Sequence, residues 1–572
     1  MLHGKKIIVF GASENGLYAC KYLSKNNEVL FVCDNSEMKW WNRLGDYDVR
    51  PPQKILERKD AIVVIALVKR YNEVAFQLYG MGINNIWHFA QYLNLVSRKR
   101  EFVLRKLPRE VPVYIFDKLE KIDSTSNKSV HSYTKNVLIC ANYFPPIGGS
   151  GVQRALKFAK YLSKFGYTPI VVTKGNCETI LPIDLSFLDE IKDVKIIRIQ
   201  EKPYYPEEVS FDDIKLFSNL LYSIGLDRKW IEDYFTILRD KWEFLPDNDV
   251  TWFFDCAKEI EKLVDFNNIS IVFSTIGPYS SALFGAYIKL KYGIKWVLDY
   301  RDPWCLDDDT MKLFYSFRMG RRDFEKKMEV ALLNNADYVT SIAEVICKNF
   351  LDIIPTIRTK CITNGYDEED FCVKINDCDE SKTFKLVHNG SFYSHFEICP
   401  LLELVNELID EGKVNANNFQ FVFNGSDPTK IDGLVDLDKY DIVSFSGYLP
   451  HSESIKTILK ANVLVIFGAY GKGAYLIYSG KVFEYLRTGV PILSISSPYG
   501  VHYEMIEKHD RGITATMKDK EKIKSFIVEK YNAWQKDGLS QIKEPDDYVR
   551  SFSREGLTKQ LAEVFDEVLE IE

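Results

Sequence analysis

The sequence predicts an α/β fold made of several Rossmann-like units in tandem. Two stretches carry a strand, a glycine-containing loop and an amphipathic helix in succession: "IIVFGASENGLYACKYL", residues 7–23, and "NVLICANYFPPIGGSGVQRALKFAKYL", residues 136–162. Apolar runs of strand length alternate with helical segments along most of the chain, which is typical of doubly wound parallel sheets. At 572 residues the chain is too long for one hydrophobic core, and its length predicts about three or four domains.

Composition and charge narrow the class of protein. Hydrophobic residues make up 46% of the chain, but the apolar runs are far shorter than the roughly 18 residues of a membrane helix. The first residues, "MLHGKKIIVFG", lack the apolar segment of a leader peptide, so we expect a cytoplasmic location. A net charge of −7 with mixed signs argues against a nucleic-acid partner, and the eleven cysteines contain no C-x-x-C pair that would indicate zinc.

Residues 1–97 predict an N-terminal Rossmann-like domain, with strands at "EVLFVCD", "DAIVVIAL" and "NIWHF" after the glycine loop. Residues 98–134 are charged and polar, and we assign them to a linker with a surface helix. Two interpretations stay open for the basic stretch "SRKREFVLRKLPRE" within this region: a solvated linker, or a contact with an anionic membrane.

Two larger Rossmann-like lobes follow. The first, residues 135–378, has strands at 136–142, "TPIVVT", "ISIVFST", "IKWVLDY" and "ADYVTSI". The second, residues 379–545, has strands at "FKLVHNGSFY", "FQFVFNG", "DIVSFSGYL", "NVLVIFGA" and "VPILSIS". Residues 546–572 contain a last helix with apolar residues at helical spacing, which we expect to pack back on the lobes.

The two lobes carry a set of motifs in a fixed order: "YFPPIGGSGVQRALKFAKYL", "FSTIGPYSSALFGAYI", "WVLDYRDPW", "NNADYVTSIAE", "ITNGYDEEDF", "HNGSFY" and "SGKVFEYLRTGVPIL". Over residues 135–545 this set resembles bacterial family 4 glycosyltransferases of the GT-B fold. The resemblance implies two lobes with a facing cleft, and transfer of a sugar from a nucleotide-sugar to an acceptor with retention of configuration and without a catalytic metal.

The glycine loop of the first lobe has a physical reason to touch a ligand. Gly148, Gly149 and Gly151 let the backbone approach a ligand closely, and the following helix directs its first amides at it. We expect Gly149 to contact the donor phosphate, and Gly148, Ser150 and Gly151 to lie on the acceptor side. The alternative is a tight strand-to-helix turn that binds nothing.

In the second lobe, "SGKVFEYLRTGVPIL" places Lys481 and Glu484 one helical turn apart, so both can face one ligand. The resemblance assigns Glu484 to the ribose hydroxyls of the donor, and Gly480 with Lys481 to its diphosphate, where Lys481 would stabilise the leaving group. The alternative is an ion pair of neighbouring turns on a solvated face.

Three further donor contacts follow from the same resemblance. Gly390 and Ser391, in "HNGSFY", are expected at the glycine turn near the diphosphate. In "GYLPH", Gly447 and Tyr448 lie where related enzymes contact the nucleotide base. We expect His388 and His451 to have no catalytic role.

The sequence departs from the family pattern in two places. Leu476 stands eight positions before Glu484, where the family usually has a second glutamate near the sugar. No arginine closely follows "HNG", so Lys481 is expected to be the main phosphate cation. The identity of the donor sugar therefore cannot be carried over.

On the first lobe, "WVLDYRDPW" ends a strand at the predicted cleft, where doubly wound sheets place their ligands. Arg301 aligns with the position where many relatives have a histidine near the transferred sugar. We predict that Arg301 and Asp302 are catalytic and that Asp299 lies on the acceptor side. A buried aspartate–arginine pair that fixes the loop is the alternative, and Asp302 can equally be a turn residue.

The N-terminal loop "GASENG" departs from a dinucleotide fingerprint, because Ser13 stands between Gly11 and Gly16 where the second glycine belongs. With Asp34 at the end of the next strand, the segment resembles the N-terminal sugar-nucleotide-binding domain of bacterial sugar acetyltransferases. The resemblance implies that Gly11, Ser13, Gly16 and Asp34 face a ligand. Asp34 as a turn-capping residue is the alternative.

The resemblance implies a glycosyltransferase that uses a UDP- or GDP-sugar and needs no other cofactor and no metal. We expect it to act on a glycan or lipid-linked acceptor in surface polysaccharide biosynthesis. We expect it in the cytoplasm, with peripheral contact to the inner face of the membrane. The alternative is a non-catalytic sensor or scaffold that binds sugar nucleotides and has lost the sugar-side glutamate.

Overall fold

The computed structural model describes residues 2–67, 71–94, 99–106, 119–122, 135–178, 182–201, 210–241, 244–305, 321–372, 382–390, 398–425, 442–475, 478–538 and 545–570. The chain forms two compact units. The first holds residues 1–124, 172–181 and 197–264, and the second holds residues 125–171, 182–196 and 265–572. The boundaries of the three domains expected from the sequence stay a prediction.

The described residues form strands and helices that alternate along most of the chain. The strands are β1 (Lys6–Phe10), β2 (Glu28–Cys33), β3 (Arg43–Leu44), β4 (Tyr47–Arg50), β5 (Ile62–Ile65), β6 (Ile86–Asn94), β7 (Lys99–Lys106), β8 (Asn136–Cys140), β9 (Thr168–Lys174), β10 (Asn176–Glu178), β11 (Lys195–Ile199), β12 (Ile271–Ile276), β13 (Lys295–Tyr300), β14 (Tyr338–Ser341), β15 (Thr359–Cys361), β16 (Phe384–Asn389), β17 (Phe419–Asn424), β18 (Val443–Gly447), β19 (Val463–Phe467), β20 (Ile492–Ile495) and β21 (Gly512–Ala515). The helices are α1 (Glu14–Leu23), α2 (Tyr71–Gly80), α3 (Ser150–Tyr161), α4 (Phe211–Ser223), α5 (Arg228–Lys241), α6 (Thr251–Leu263), α7 (Ser281–Tyr292), α8 (Arg321–Asn335), α9 (Glu344–Ile353), α10 (Ile398–Asp410), α11 (His451–Leu459), α12 (Gly480–Thr488), α13 (Lys520–Asp537), α14 (Asp547–Arg550) and α15 (Arg554–Leu569).

The first unit is built on an eight-stranded sheet in the order β10–β6–β5–β1–β2–β4–β3, with β7 also paired to β6. The central strands are parallel: β1 pairs with β2 and β5, and β5 pairs with β6. Their apolar residues are buried on both faces of the sheet, which explains the continuous apolar runs of the sequence.

One element of this unit differs from the sequence-based assignment. Residues 99–106 were expected in the linker but form β7, antiparallel to β6 along its length. Its letters, "KREFVLRK", hold basic residues at both ends, and these hide the short apolar centre that a strand needs. β10 pairs antiparallel with β6, so a segment from the middle of the chain completes the sheet of its N-terminal part.

The second unit contains two Rossmann-like lobes, each with a parallel sheet. The sheet of the first lobe runs β11–β9–β8–β12–β13–β14–β15, and β9 and β11 continue into residues of the first unit. The sheet of the second lobe runs β18–β17–β16–β19–β20–β21. All pairs for which a register is given in these two sheets are parallel. The strand order reverses at β8 and at β16, where such sheets bind their ligands.

The chain passes between the lobes twice. It leaves the first lobe near residue 363. It returns near residue 553, and the helix that follows, α15, packs in the core of the first lobe. The two crossings lie side by side: the Tyr366 amide donates to the Phe552 carbonyl at 3.1 Å, and the Arg554 amide donates to the Tyr366 carbonyl at 2.8 Å. Gly365 is required there, since a Cβ atom would lie 2.0 Å from the Phe552 carbonyl oxygen.

The fold class predicted from the sequence is confirmed: an α/β protein with a Rossmann-like sheet at its N-terminal end and two Rossmann-like lobes that face each other, the GT-B arrangement. Within the described ranges, we find no helix long and apolar enough to cross a membrane.

Helix α3 is anchored to the first lobe by a buried ion pair. The Arg154 guanidinium donates to both carboxylate oxygens of Asp299, at 2.8 and 2.7 Å, and to the Thr363 carbonyl at 3.0 Å. The side chains of Arg154 and Asp299 are 1% and 0% exposed. A charge so deeply buried must keep its partner, because its solvation in water has been lost.

We predict that Arg154→Met lowers the thermal unfolding temperature strongly, because it leaves the Asp299 carboxylate buried and unpaired, which costs about 3–5 kcal/mol. Lys164→Met is the matched control on the same segment. Lys164 pairs with Glu555 at 2.8 Å, but both side chains are about half exposed, so its loss should matter little. Calorimetry of the full chain measures the unfolding temperature of both variants. Similar decreases for Arg154→Met and Lys164→Met would contradict the stabilising role of the buried Arg154–Asp299 pair.

Candidate functional site

The glycine loop of the first lobe is held in a defined shape. Gly149 has φ +96°, a backbone conformation that favours glycine. The Gly148 amide donates to the Pro182 carbonyl at 2.8 Å, and the Asp184 amide donates to the Pro146 carbonyl at 2.8 Å. The loop is therefore tied to the segment that begins at residue 182.

The two lobes touch at Gly148. A Cβ atom at this position would lie 2.3 Å from the hydroxyl oxygen of Tyr448, which belongs to the second lobe. Only glycine leaves room for the tyrosine. Gly447, with φ +63°, ends β18 directly before it.

Two helix N-termini face each other across the lobes. Helix α3 begins after Gly149 and helix α12 begins after Ser479, and neither of these capping residues forms a side-chain cap hydrogen bond. A Cβ atom on Gly480 would lie 3.9 Å from the Ser150 Cβ. Both helix dipoles and their first amides thus converge on one small region, which favours an anion.

Lys481 lies beside this region and covers Gly390. A Cβ atom on Gly390, which has φ +104°, would lie 2.3 Å from Lys481 Cε and 2.9 Å from its Nζ. Loss of solvation lowers the pKa of Lys481 to about 8, although the nearby Glu484 acts in the opposite direction. The sequence-based pairing of Gly390 with Lys481 is thus seen in space, while Ser391 lies outside the described residues.

Glu484 is buried one turn further along α12. Burial raises its pKa, and the His451 charge and a hydrogen bond with Gln153 of α3 partly oppose this rise. His451 Nε2 lies 3.9 Å from a Glu484 carboxylate oxygen and 3.1 Å from a carboxylate oxygen of Asp370. Its Nδ1 lies 3.3 Å from Gln153 Nε2.

His451 therefore joins three parts of the protein: α3, the crossing between the lobes, and α12. Burial alone would lower the pKa of His451, but the hydrogen bond to Asp370 and the charges of Glu484 and Asp370 outweigh burial and raise it. The sequence-based view that His451 only begins a helix missed this contact to Glu484.

Asp184 is a second link between the lobes that the sequence analysis missed. Its carboxylate accepts the backbone N–H of His451 at 2.7 Å, at the first residue of α11. It also hydrogen-bonds Tyr448, whose pKa rises to about 12 through burial and this carboxylate. A first-lobe aspartate thus caps a second-lobe helix. Its only sequence signal, an aspartate before a short helical turn, is too common to identify it.

Arg301 fastens two loops of the first lobe. Its guanidinium donates to the carbonyls of Gly151 and Gly277, the latter at 2.8 Å, and to the Asp302 carboxylate at 3.2 Å. A Cβ atom would approach the guanidinium to 2.7 Å at Gly151 and to 2.3 Å at Gly277. Asp302 is the more exposed partner, with 56% of its side chain in solvent.

Asp299 is buried, and its carboxylate is bonded to side chains of the first lobe. Besides Arg154, its carboxylate accepts hydroxyl hydrogen bonds from Thr275 at 2.8 Å and Thr340 at 2.7 Å. Its oxygens are used within the lobe and none of its surface is exposed. Asp299 is therefore not accessible to an acceptor, and it is left out of the proposed acceptor site. The expected aspartate–arginine pair exists, but its arginine is Arg154 and not Arg301, two residues after Asp299.

Among the described residues, the carboxylates of Glu190, Asp367 and Asp370 lie close enough to share a metal ion. The Lys157 ammonium already sits between them, at 2.6, 2.7 and 3.2 Å. These charges raise the pKa of Lys157 despite its burial. The donor set fits a lysine ammonium better than a metal.

In the first unit, the glycine loop after β1 folds on itself. Ser13 caps α1, accepting the Gly16 amide at 3.3 Å. A Cβ atom on Gly16 would lie 1.9 Å from the Gly11 carbonyl oxygen. Close approach of backbone to backbone is thus a sufficient reason for the glycine at position 16.

Asp34 lies beside that loop. Its carboxylate accepts the amides of Ala12 at 2.8 Å and Ser36 at 2.9 Å, and it pairs with Lys39 at 3.2 Å. The turn-capping role left open by the sequence is therefore present, and the ligand role of Asp34 stays a prediction.

Neither a protein-family model nor a curated protein matches the chain. Solved structures are similar in fold. A sucrose-phosphate synthase from Thermosynechococcus elongatus is 16% identical over 77% of this chain and 100% of its own, with a TM-score of 0.49. The N-terminal domain of Candida albicans trehalose-6-phosphate phosphatase is 9% identical over 78% of this chain and 99% of its own, with a TM-score of 0.47.

WaaG, a glycosyltransferase involved in lipopolysaccharide biosynthesis, is 13% identical over 75% of this chain and 99% of its own, with a TM-score of 0.45. At these identities and TM-scores the likenesses concern the fold alone.

We predict that Gly148→Ala destabilises the contact between the lobes and that adding Tyr448→Phe restores most of the loss. The hydroxyl is the atom in conflict, since the next ring atom, Cζ, lies 3.3 Å from the added Cβ. Gly480→Ala is the control, because its Cβ has 3.9 Å of room. Thermal unfolding of the single and double variants forms a mutant cycle. An additive double variant would contradict the contact.

Proposed function

We propose that this protein is a retaining glycosyltransferase that transfers a sugar from a nucleotide-sugar to a glycan or lipid-linked acceptor. The observation that carries the proposal is the closeness of the N-termini of α3 and α12, beside Lys481. Two uncapped helix ends and one cation, all where two Rossmann-like lobes meet, suit a diphosphate.

The donor would bind with its diphosphate between Gly149 and Gly480 and its ribose on Glu484. A carboxylate that accepts ribose hydroxyls contributes on the order of 1.5–3 kcal/mol per hydrogen bond. The contacts of Glu484 with Gln153 and His451 support this role, because they orient the carboxylate before the donor arrives. Gly447 and Tyr448 would lie near the base.

The chemistry asks the protein to stabilise the charge that grows on the leaving diphosphate. Lys481 and the two helix ends are fixed dipoles and charge at that place, so little reorganisation accompanies the reaction. Arg301 and the exposed Asp302 would face the transferred sugar, while Gly148, Ser150 and Gly151 would approach the acceptor. No metal enters this scheme, since Lys481 and the helix ends supply the positive charge.

We further propose that the acceptor belongs to surface polysaccharide biosynthesis, and that the enzyme works in the cytoplasm at the inner face of the membrane. Residues 1–97 would act as an accessory domain that binds a ligand through Gly11, Ser13, Gly16 and Asp34. The resemblances found in the sequence are the support for these assignments.

A sensor or scaffold that binds sugar nucleotides without turnover is the second candidate. The sequence feature that favours it is Leu476 in place of the sugar-side glutamate. Both candidates predict nucleotide binding, but only the enzyme predicts turnover.

A panel of radiolabelled UDP- and GDP-sugars, incubated with the full chain, tests the proposal. We expect hydrolysis or transfer with at least one donor, unchanged by EDTA.

Glu484→Gln should weaken binding of that donor at least tenfold in calorimetry, because charge-assisted hydrogen bonds are lost. Glu453→Gln, an exposed residue of α11 paired with Lys456, should not. Binding without any turnover would favour the sensor, and no binding would overturn both.

We also predict that donor affinity falls about tenfold between pH 7 and pH 9. Lys481 has its pKa lowered to about 8 in the free protein, so it is charged at pH 7 and largely neutral at pH 9, whereas a bound diphosphate requires the charged form. Lys481→Arg should remove this dependence, because arginine stays protonated over the range. Equal affinity of the unmodified protein at both pH values would contradict the role of Lys481.

A further inference from the structure

Two exposed tyrosines stack on each other in the second lobe. Tyr475 lies in the loop after β19, and Tyr499 lies in the loop after β20. Their ring centroids are 5.7 Å apart with 20° between the planes, and the residues are 49% and 44% exposed. Single exposed aromatic residues are common and need no explanation, but a stacked pair that keeps half its surface in water is different.

The backbone holds this pair in place. Gly500, which follows Tyr499, has φ +90°, and a Cβ atom there would lie 2.4 Å from the carbonyl oxygen of Ala474, the residue before Tyr475. The Ser497 amide donates to the Ala469 carbonyl at 3.4 Å. The two loops are therefore in contact along their backbones, and the rings are positioned before any ligand binds.

The buried His502 packs against the same two loops. A Cβ atom on Gly468, at the start of the first loop, would lie 2.6 Å from His502 Nδ1. That nitrogen also lies 2.8 Å from the Ser494 hydroxyl. Burial and, to a smaller extent, the charge of Lys481 lower the pKa of His502 to about 4, so the imidazole is neutral at pH 7.

The strand order shows on which side of β16 the loops of Tyr475 and Tyr499 lie. In the second-lobe sheet, β16 ends at Asn389, directly before Gly390, which Lys481 covers. β18, which leads to Tyr448, lies two strands away on one side. β19 and β20, which lead to Tyr475 and Tyr499, lie on the other side of β16. With a diphosphate at Lys481 and a base near Tyr448, the tyrosine pair stands on the side left for the sugar.

We propose that Tyr475 and Tyr499 form a stacking platform for the pyranose ring of the donor sugar. This inference rests on the proposed function. An aromatic face carries negative charge density, which attracts the polarised C–H groups on the flat side of a pyranose, and the phenol hydroxyls can hydrogen-bond its rim. The platform supplies a contact to the sugar, whereas the leucine at position 476 of the sequence has no hydrogen-bonding side chain.

The platform predicts a specific difference between two ligands of the full chain: a nucleotide-sugar that the donor screen identifies, and the same nucleoside diphosphate without its sugar. Tyr475→Ala and Tyr499→Ala should weaken binding of the nucleotide-sugar at least fivefold in calorimetry and change binding of the nucleoside diphosphate less than twofold. Tyr475→Phe and Tyr499→Phe should stay within about threefold, since the rings remain.

Tyr222→Ala is the control for removal of an exposed tyrosine, and circular dichroism checks that each variant is folded. In saturation-transfer NMR, the sugar protons on one face should receive the strongest signal, and the double alanine variant should lose it. Phenylalanine variants as weak as the alanine variants would contradict stacking.

Four further results would overturn the platform, and they separate its failure from that of the proposed function. Equal binding of the nucleotide-sugar by the alanine variants refutes the platform alone. Loss of transfer with donor binding unchanged assigns the rings to the acceptor instead. Loss of binding to vesicles containing anionic lipid, with donor binding unchanged, assigns them to a membrane. If the unmodified protein binds no nucleotide, the proposed function fails as well.

Discussion

Arg154 and Asp299 form the ion pair on which the geometry of the second unit depends. Neither side chain meets water, so each charge has only the other and a few hydroxyl and carbonyl groups to replace its solvation. A pair of this kind tolerates little change in distance or angle. It therefore sets the direction of α3, and with it the position of the glycine loop at the N-terminus of that helix.

The same helix reaches the second lobe through a chain of charged contacts. One turn after Arg154, Lys157 binds Asp367 and Asp370 of the crossing segment. Asp370 binds His451, and His451 lies against Glu484. The carboxylate proposed for the ribose is thus connected to the core of the opposite lobe by residues that are fully or mostly buried. A ligand that changes the charge at Glu484 acts on both lobes together.

The sequence predicts the sheets well because buried parallel strands require continuous apolar runs, and these are visible without any tertiary information. It also brings Gly390 and Lys481 to one place, since strand ends and helix starts meet at one edge of a parallel sheet. The partners of charged residues are harder to predict. Arg154 and Asp299 are 145 positions apart, and nothing in the sequence favours Arg154 over the nearby Arg301 as the partner of Asp299. The contact between Asp184 and His451 is equally hard to predict, because it forms only where the two lobes meet.

The paired crossings between the lobes have a mechanical consequence. Tyr366 and Arg554 join the two crossing segments by backbone hydrogen bonds, with Gly365 pressed against the Phe552 carbonyl. Two chain crossings that are hydrogen-bonded to each other restrict sliding and twisting of one lobe against the other, and they leave rotation about the crossings as the least restricted motion. Any opening at the side of Gly148 and Tyr448 is therefore expected to be a rotation about these crossings, which keeps the N-termini of α3 and α12 in the same relative register when the lobes close again.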